Sequence, residues 1–363
     1  MSALPPGPPP RPGERVEVAD LARFVDRIDV RSPAEFAEDR LPGAVNWPSL
    51  DDAEREAIGT EYKQVSAFEA KKRGAALVAR NVAGHVERHV LDKPREWTPL
   101  VYCWRGGKRS GALATVLEQI GFRVHVLEGG YRDFRRAVVA ALEAMPEQLS
   151  WRVVCGPTGS GKSRLLDALA AAGAQVLDLE RLANHRGSVL GLVPGSVQPS
   201  QKAFDTRLWD ALRRLDPARP VFVESESKKI GDLRVPESLI GRMRASPCLW
   251  LELPLEARVA LLMADYDFFV ADVEAFCARL DALRALRGNT VVAAWQEAAR
   301  AGRTAEVVRN LLVAHYDPIY LESMRRNFTG VGTPMATLRW DGSEGSLRAA
   351  ASAAIEAAGR ATP

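Results

Sequence analysis

Two stretches of this 363-residue chain hold residue types at spacings that can do chemistry. In GPTGSGKS, residues 156–163, the pattern G-x4-G-K-S is complete. Backbone N–H groups around such a loop ring a phosphate, Pro157 contributing none, while Lys162 reaches terminal phosphates and the Ser163 hydroxyl can hold Mg²⁺. Gly156, Thr158, Gly159, Ser160, Gly161, Lys162 and Ser163 are therefore the expected phosphate-binding residues. In VYCWRGGKRS, residues 101–110, Cys103 and Arg109 stand at C-x5-R spacing. A loop curled around its own amides and ending at a helix N-terminus favours an anion and lowers the thiol pKa towards a thiolate nucleophile. Gly106 and Gly107 let the backbone turn inwards. Arg109 is suited to a two-pronged grip on a phosphate-like group, and Arg105 adds charge. A buried cysteine at a strand end with a basic loop after it is the plainer alternative.

Further polar groups gather downstream of the glycine loop. In VLDLERLANHRGS, residues 176–188, Asp178 and Glu180 fall at the carboxyl edge of a strand, where sheets of this kind collect substrate contacts. His185 and Arg186 lie in the polar loop that follows, with Asn184, Gly187 and Ser188. Caps and surface salt bridges would explain the same residues. VFVESES, residues 221–227, ends an apolar strand in Glu224 and Glu226, two apart and so on one side of an extended segment. One of them could orient a metal hydration shell, although the usual Asp is missing; solvated carboxylates are the alternative. Arg258, early in a helix, suits either a phosphate contact or the surface. HYDPIY, residues 315–320, places Tyr316 in an aromatic cluster that could stack on a base or pack in a core.

The elements that must position these groups can be read around them. Residues 15–29 read as strand, helix, strand, leading to a helix capped near Ser32 with Pro33 early in it. Residues 51–98 alternate helical stretches with polar connections, and LVYC is a short buried strand before the cysteine loop. A helix over 110–121, a strand over 123–130 and a helix over 131–143 complete a small α/β unit. A second unit opens with strand, glycine loop and helix over 151–173, and apolar runs at 175–179, 220–223 and 248–253 continue a parallel sheet wrapped by helices. After about residue 331 the composition drifts to Gly, Ser and Ala, and the last stretch, SLRAAASAAIEAAGRATP over 346–363, reads as one surface helix or a loose tail.

Composition excludes several classes. Hydrophobic content of 47% with 26% charged residues is that of an ordinary folded protein. The 4 cysteines form no CxxC pair and no metal-ligand array with histidine, so neither a disulfide framework nor a zinc ribbon is expected. No apolar run reaches membrane-spanning length, and the opening MSALPPGPPPRPGE is a proline-rich tail without a signal-peptide core, which points to the cytoplasm and no membrane partner. A net charge of +3 permits a nucleic-acid partner without demanding one. The run AKKRGAALVAR, residues 70–80, could join the cysteine loop in one positive face.

DVRSPAEF, LPGAVNWP and VYCWRGGKRS together resemble a rhodanese domain, with one more residue than usual between cysteine and arginine and hence room for a larger tetrahedral anion. The C-x5-R-S spacing also occurs in cysteine phosphatases, which place a His before the cysteine where Tyr102 stands here; Asp29 or Asp133 would have to serve as their acid. Rhodanese-like and phosphate-loop units in one chain, with DLERLANHRGS, QPSQKAFD, VFVESESKKIG and HYDPIY, resemble the bacterial tRNA 2-selenouridine synthase family over residues 15–330. The resemblance implies an α/β fold: a rhodanese-like three-layer domain over 15–145 after a flexible tail over 1–14, then a P-loop NTPase-like parallel-sheet domain over 146–330 and a C-terminal extension over 331–363. It implies a transferase that replaces sulfur by selenium at wobble 2-thiouridine of tRNA. Selenophosphate and geranyl diphosphate are the implied co-substrates, with an S-geranyl intermediate and no firmly bound cofactor. Cys103 would be the cysteine required for selenation. A transient contact with a selenophosphate-producing enzyme is a further implied partnership. The alternatives are a cysteine phosphatase fused to a P-loop small-molecule kinase and a sulfur-relay module.

Overall fold

The computed structural model describes residues 16–185, 197–265 and 272–360. They form two compact units, one of residues 16–142 with 199–210, the other of the remaining described residues from 143 onwards. The expectations for Arg186, Gly187 and Ser188 lie outside the described residues.

The first unit is built on a four-stranded parallel sheet of order β2-β1-β3-β4, from β1 (Arg27–Asp29), β2 (Ala44–Asn46), β3 (Leu100–Tyr102) and β4 (His125–Val126). The helix Pro33–Glu38 begins at Ser32 with Glu35 closing a capping box, as the sequence led one to expect. Lys108–Ile120 buries Leu113, Ala114 and Leu117 against Ile28 and Val101, and Gly121 stops it in the left-handed region. The strand expected over 123–130 is cut to two residues. Gly129 and Gly130 both take positive φ and swing the chain directly into the helix Gly130–Ala144.

Residues 199–210, within the range expected for the second domain, pack with this unit. The reason is a buried polar network. Asp39 accepts from the Tyr131 hydroxyl at 2.8 Å and the Thr206 hydroxyl at 3.0 Å, and Arg135 donates to Asp205 at 2.9 Å. Trp209 packs edge-on against Phe134.

The second unit carries a five-stranded, wholly parallel sheet. Its strands are β5 (Ser150–Cys155), β6 (Gln175–Leu177), β7 (Pro220–Glu224), β10 (Cys248–Glu252) and β11 (Ala336–Arg339), in the order β11-β10-β5-β7-β6. A hairpin of β8 (Lys229–Ile230) and β9 (Leu233–Arg234) follows β7. The central β5 is buried almost throughout and delivers the glycine loop at its carboxyl end. The region after 331 is neither a loose tail nor a surface helix. Ala336–Arg339 pairs with β10, and the helix Glu344–Arg360 buries Ala350, Ala351, Ala354 and Ala358 with Leu165, Leu166 and Leu169 of the helix Lys162–Ala171. Alanine packs well but contrasts weakly with its polar neighbours, so the buried face was hidden in the sequence. A second core forms among helices after Val273, from Phe276, Leu280, Val292, Trp295 and Leu311.

Candidate functional site

In the first unit, β3 leads into Cys103, which is 4% exposed. Its sulfur accepts from the Gly107 N–H at 3.2 Å and from the Ser110 hydroxyl at 3.3 Å. Burial pushes the thiol pKa up, but the Ser110 side chain and the backbone N–H groups of Ser110, Arg105 and Gly107 outweigh it and hold the thiol below its ordinary value. The loop is interlocked with the following turn: Tyr131 N–H donates to the Cys103 carbonyl at 2.9 Å, and a Cβ on Gly130 would stand 2.3 Å from that oxygen. The sulfur thus lies among N–H and O–H donors at a helix N-terminus, an arrangement that favours its ionised form.

Arg109 differs from the expectation. Its guanidinium pairs with Glu35 at 3.0 Å, which is itself held by the Ser32 N–H, so the cradle is made by backbone amides and Ser110 rather than by an arginine fork. Arg105 contributes its backbone N–H, its side chain being exposed. No carboxyl is bonded to the thiol among the described residues. Asp29 is forked by the buried Arg31, and Asp133 pairs with Arg132 and Arg136, so neither stands as the acid a phosphatase would need.

In the second unit the glycine loop is a tight cradle. Gly159 and Gly161 take positive φ, and a Cβ on Gly161 would run into the Trp340 ring. Ser160 N–H donates to the Pro157 carbonyl, and Gly156 lies so close to the Leu251 carbonyl that a Cβ would stand 2.8 Å from it. Lys162 Nζ donates to the Gly156 carbonyl at 3.2 Å and sits 5.0 Å from the centroid of the Tyr320 ring. Burial works against its charge, but Tyr320, Glu180 and Glu226 outweigh burial and raise its pKa. The Ser163 hydroxyl donates to Glu180 at 3.1 Å. Thr158 is fixed from outside: its carbonyl accepts from Arg258, whose guanidinium also forks Asp317 at 2.6 and 2.9 Å. Arg258 is therefore buried and fully engaged. It braces the loop and is neither a surface residue nor a phosphate contact.

The strand-end carboxylates are not solvated, as the alternative reading would have them. Glu224 is 1% exposed and accepts from the Leu179 and Glu180 N–H groups, closing the start of the helix Leu179–Ala183, which Asp178 caps through the Arg181 N–H. Burial, with Asp178 and Glu180 nearby, pushes Glu224 up to about 8. Glu226 is raised well above the ordinary range by burial, with Glu180 and Glu224 nearby, against the pull of Lys162. Among the described residues no group of three or more His, Cys, Asp or Glu side chains could hold a metal ion.

A cavity of about 890 Å³ opens from this loop. Polar residues of its wall include Thr158, Lys162, Ser163, Asp178, Glu180, His185 and Glu226. Apolar residues of its wall include Leu261, Leu262, Phe276, Leu286, Leu311 and Ile319. Tyr316, on a π-helical turn over Leu312–Tyr316, and Tyr320, on the helix Asp317–Asn327 that continues it, also line the cavity. The structure thus brings the glycine loop, both acidic strand ends, His185 and HYDPIY to one place.

A family model described as "tRNA 2-selenouridine synthase AAA domain" matches residues 149–287, and a "Rhodanese-like domain" model matches residues 17–137. A protein of Alcanivorax borkumensis named tRNA 2-selenouridine synthase is 34% identical over 327 residues, 81% of this chain and 88% of that one. The chain belongs to the tRNA 2-selenouridine synthase family. A relative of the same name from Bdellovibrio bacteriovorus is 32% identical over 84% of this chain and 90% of its own. The one from Nitrosomonas europaea is 39% identical over 66% of this chain, which spans 63% of that relative's length.

Against this family frame, sequence reasoning missed four groups. Ser110 was visible only as the residue after the arginine. Asp317 and Tyr320 lay inside HYDPIY without any sign that they reach the glycine loop, and the apolar wall carried no motif at all. The basic run over 70–80 does not make a free positive face: Lys72 pairs with Glu69, Arg73 with Glu61 and Arg80 with Glu54. All four cysteines are free. No described helix is long and apolar enough to cross a membrane.

Proposed function

We propose that this chain replaces sulfur by selenium at wobble 2-thiouridine of tRNA, through an S-geranyl intermediate made from geranyl diphosphate. The observation that carries the reading is the continuity of the glycine loop with an apolar cavity. A ligand with a diphosphate head and a branched hydrocarbon tail fits that contrast, whereas a nucleotide would put a polar sugar and base against leucine and isoleucine. The diphosphate sits on the loop N–H groups and Lys162, with Ser163 available to a Mg²⁺ carried in on the phosphates. These groups stabilise the charge that grows on the diphosphate as the sulfur of thiouridine bonds to the first geranyl carbon and the carbon–oxygen bond breaks.

The Cys103 loop receives selenophosphate, a small tetrahedral anion suited to convergent N–H donors. A selenium nucleophile then adds at C2 of the base and expels geranyl thiol. The site of action is the cytoplasm, with tRNA and a selenophosphate-producing enzyme as partners. Incubation with 2-thiouridine-containing tRNA, omitting each donor in turn, followed by nucleoside mass spectrometry tests the scheme. Geranylated thiouridine is expected without selenophosphate, and selenouridine with both donors. Lys162→Ala should reduce geranyl transfer by about 10²-fold or more and weaken geranyl diphosphate binding; unchanged transfer would remove the diphosphate from this loop.

A further inference from the structure

Geranylation of sulfur creates a proton to dispose of. In 2-thiouridine the C2=S and N3–H form one thioamide. When the sulfur takes the geranyl group, the N3–H electrons become the N3=C2 double bond, the geranyl C–O pair leaves with diphosphate, and N3 loses its proton. A base is therefore required within the cavity that holds the diphosphate.

We propose that His185 is that base, an assignment that rests on the geranyl-transfer reading above. His185 lines the cavity and is 8% exposed, and its Nδ1 is buried with no hydrogen-bond partner among the described residues. A buried ring nitrogen with nothing to bond is costly unless a ligand supplies the partner. The backbone aims it deliberately. Asn184 is the one non-glycine residue with positive φ among the described residues, at 49°, and this left-handed step lets the His185 N–H bond back to the Glu180 carbonyl at 3.0 Å.

The other polar groups of this wall are committed. Asp178 caps the helix through Arg181, and Glu180 accepts from Ser163. Lys162 donates to the Gly156 carbonyl, and Glu226, its pKa raised by burial, accepts from the Ser227 N–H. Facing His185, Glu180 on its own helix and Asp232 in the turn between β8 and β9 favour the imidazolium, but burial is larger and holds its pKa below 6.5. The ring is neutral and ready to accept.

The test is single-turnover geranyl transfer to 2-thiouridine-containing tRNA from pH 6 to 9 by wild type, His185→Gln and His185→Ala, with geranyl diphosphate binding measured by calorimetry. Both variants should lose far more in transfer rate than in affinity for geranyl diphosphate. Their transfer rates should fall about 10²-fold at pH 7 and recover as pH rises and N3 ionises unaided. Added imidazole should partly restore His185→Ala. Wild-type rates in both variants would overturn the assignment, as would an equal loss at every pH with no response to imidazole. Wild-type protein that forms no geranylated nucleoside would instead overturn the geranyl-transfer reading, and this assignment with it.

Discussion

Ser110 decides the state of the cysteine more than the arginine beside it does. Its hydroxyl donates to the Cys103 sulfur and its backbone N–H adds a second hydrogen bond, while Arg109 turns away to Glu35. A hydrogen bond to a charged acceptor contributes about 1.5–3 kcal/mol, equivalent to roughly one to two pKa units. Ser110→Ala should therefore raise the thiol pKa by about one unit and slow iodoacetamide alkylation of Cys103 several-fold at pH 7, with the difference closing at high pH. An unshifted pH–rate profile would show that the backbone amides suffice. The C-x5-R spacing located the thiol correctly in the sequence. It could not say where Arg109 points, because a side chain of that length reaches any partner within several ångströms and Glu35 lies 74 residues away.

At the scale of elements, the last strand and helix matter most. Strand β11 continues the sheet beyond β10, the helix Glu344–Arg360 covers the helix that follows the glycine loop, and Trp340 lies against Gly161. Removing residues 335–363 would uncover Leu165, Leu166 and Leu169 and leave β10 as a bare edge. The truncated chain should lose the cooperative calorimetric transition of the second unit and its geranyl diphosphate binding. A retained transition with normal binding would restore the view of this region as an appendage.

Over the whole molecule a net charge of +3 conceals a concentrated acidic core in the second unit. Glu224, at an ordinary 4.5 when unfolded and about 8 when folded, binds a proton in the native state that the unfolded chain releases across that window. Native stability therefore falls as pH rises from about 4.5 to 8, the sign for a carboxyl whose folded pKa is raised. Glu226 and Asp178, also raised, act in the same direction. Glu224→Gln keeps an oxygen for the Leu179 and Glu180 N–H groups and should flatten the decline in melting temperature across this range. A slope equal to wild type would place the pH dependence elsewhere.

The sequence by itself determined the two parallel α/β units and the places of the cysteine and glycine loops within them. Those features are local: strand, turn and helix N-terminus are contiguous, and glycine is required where φ is positive. Tertiary structure alone decided that Arg258 braces Thr158, that residues 199–210 leave the second unit for the first, that the C-terminal alanines are core, and that apolar residues line one cavity with the phosphate loop. Each depends on contacts between residues far apart in the chain, where leucine in a ligand cavity and leucine in a core read alike until the fold shows which side is left open.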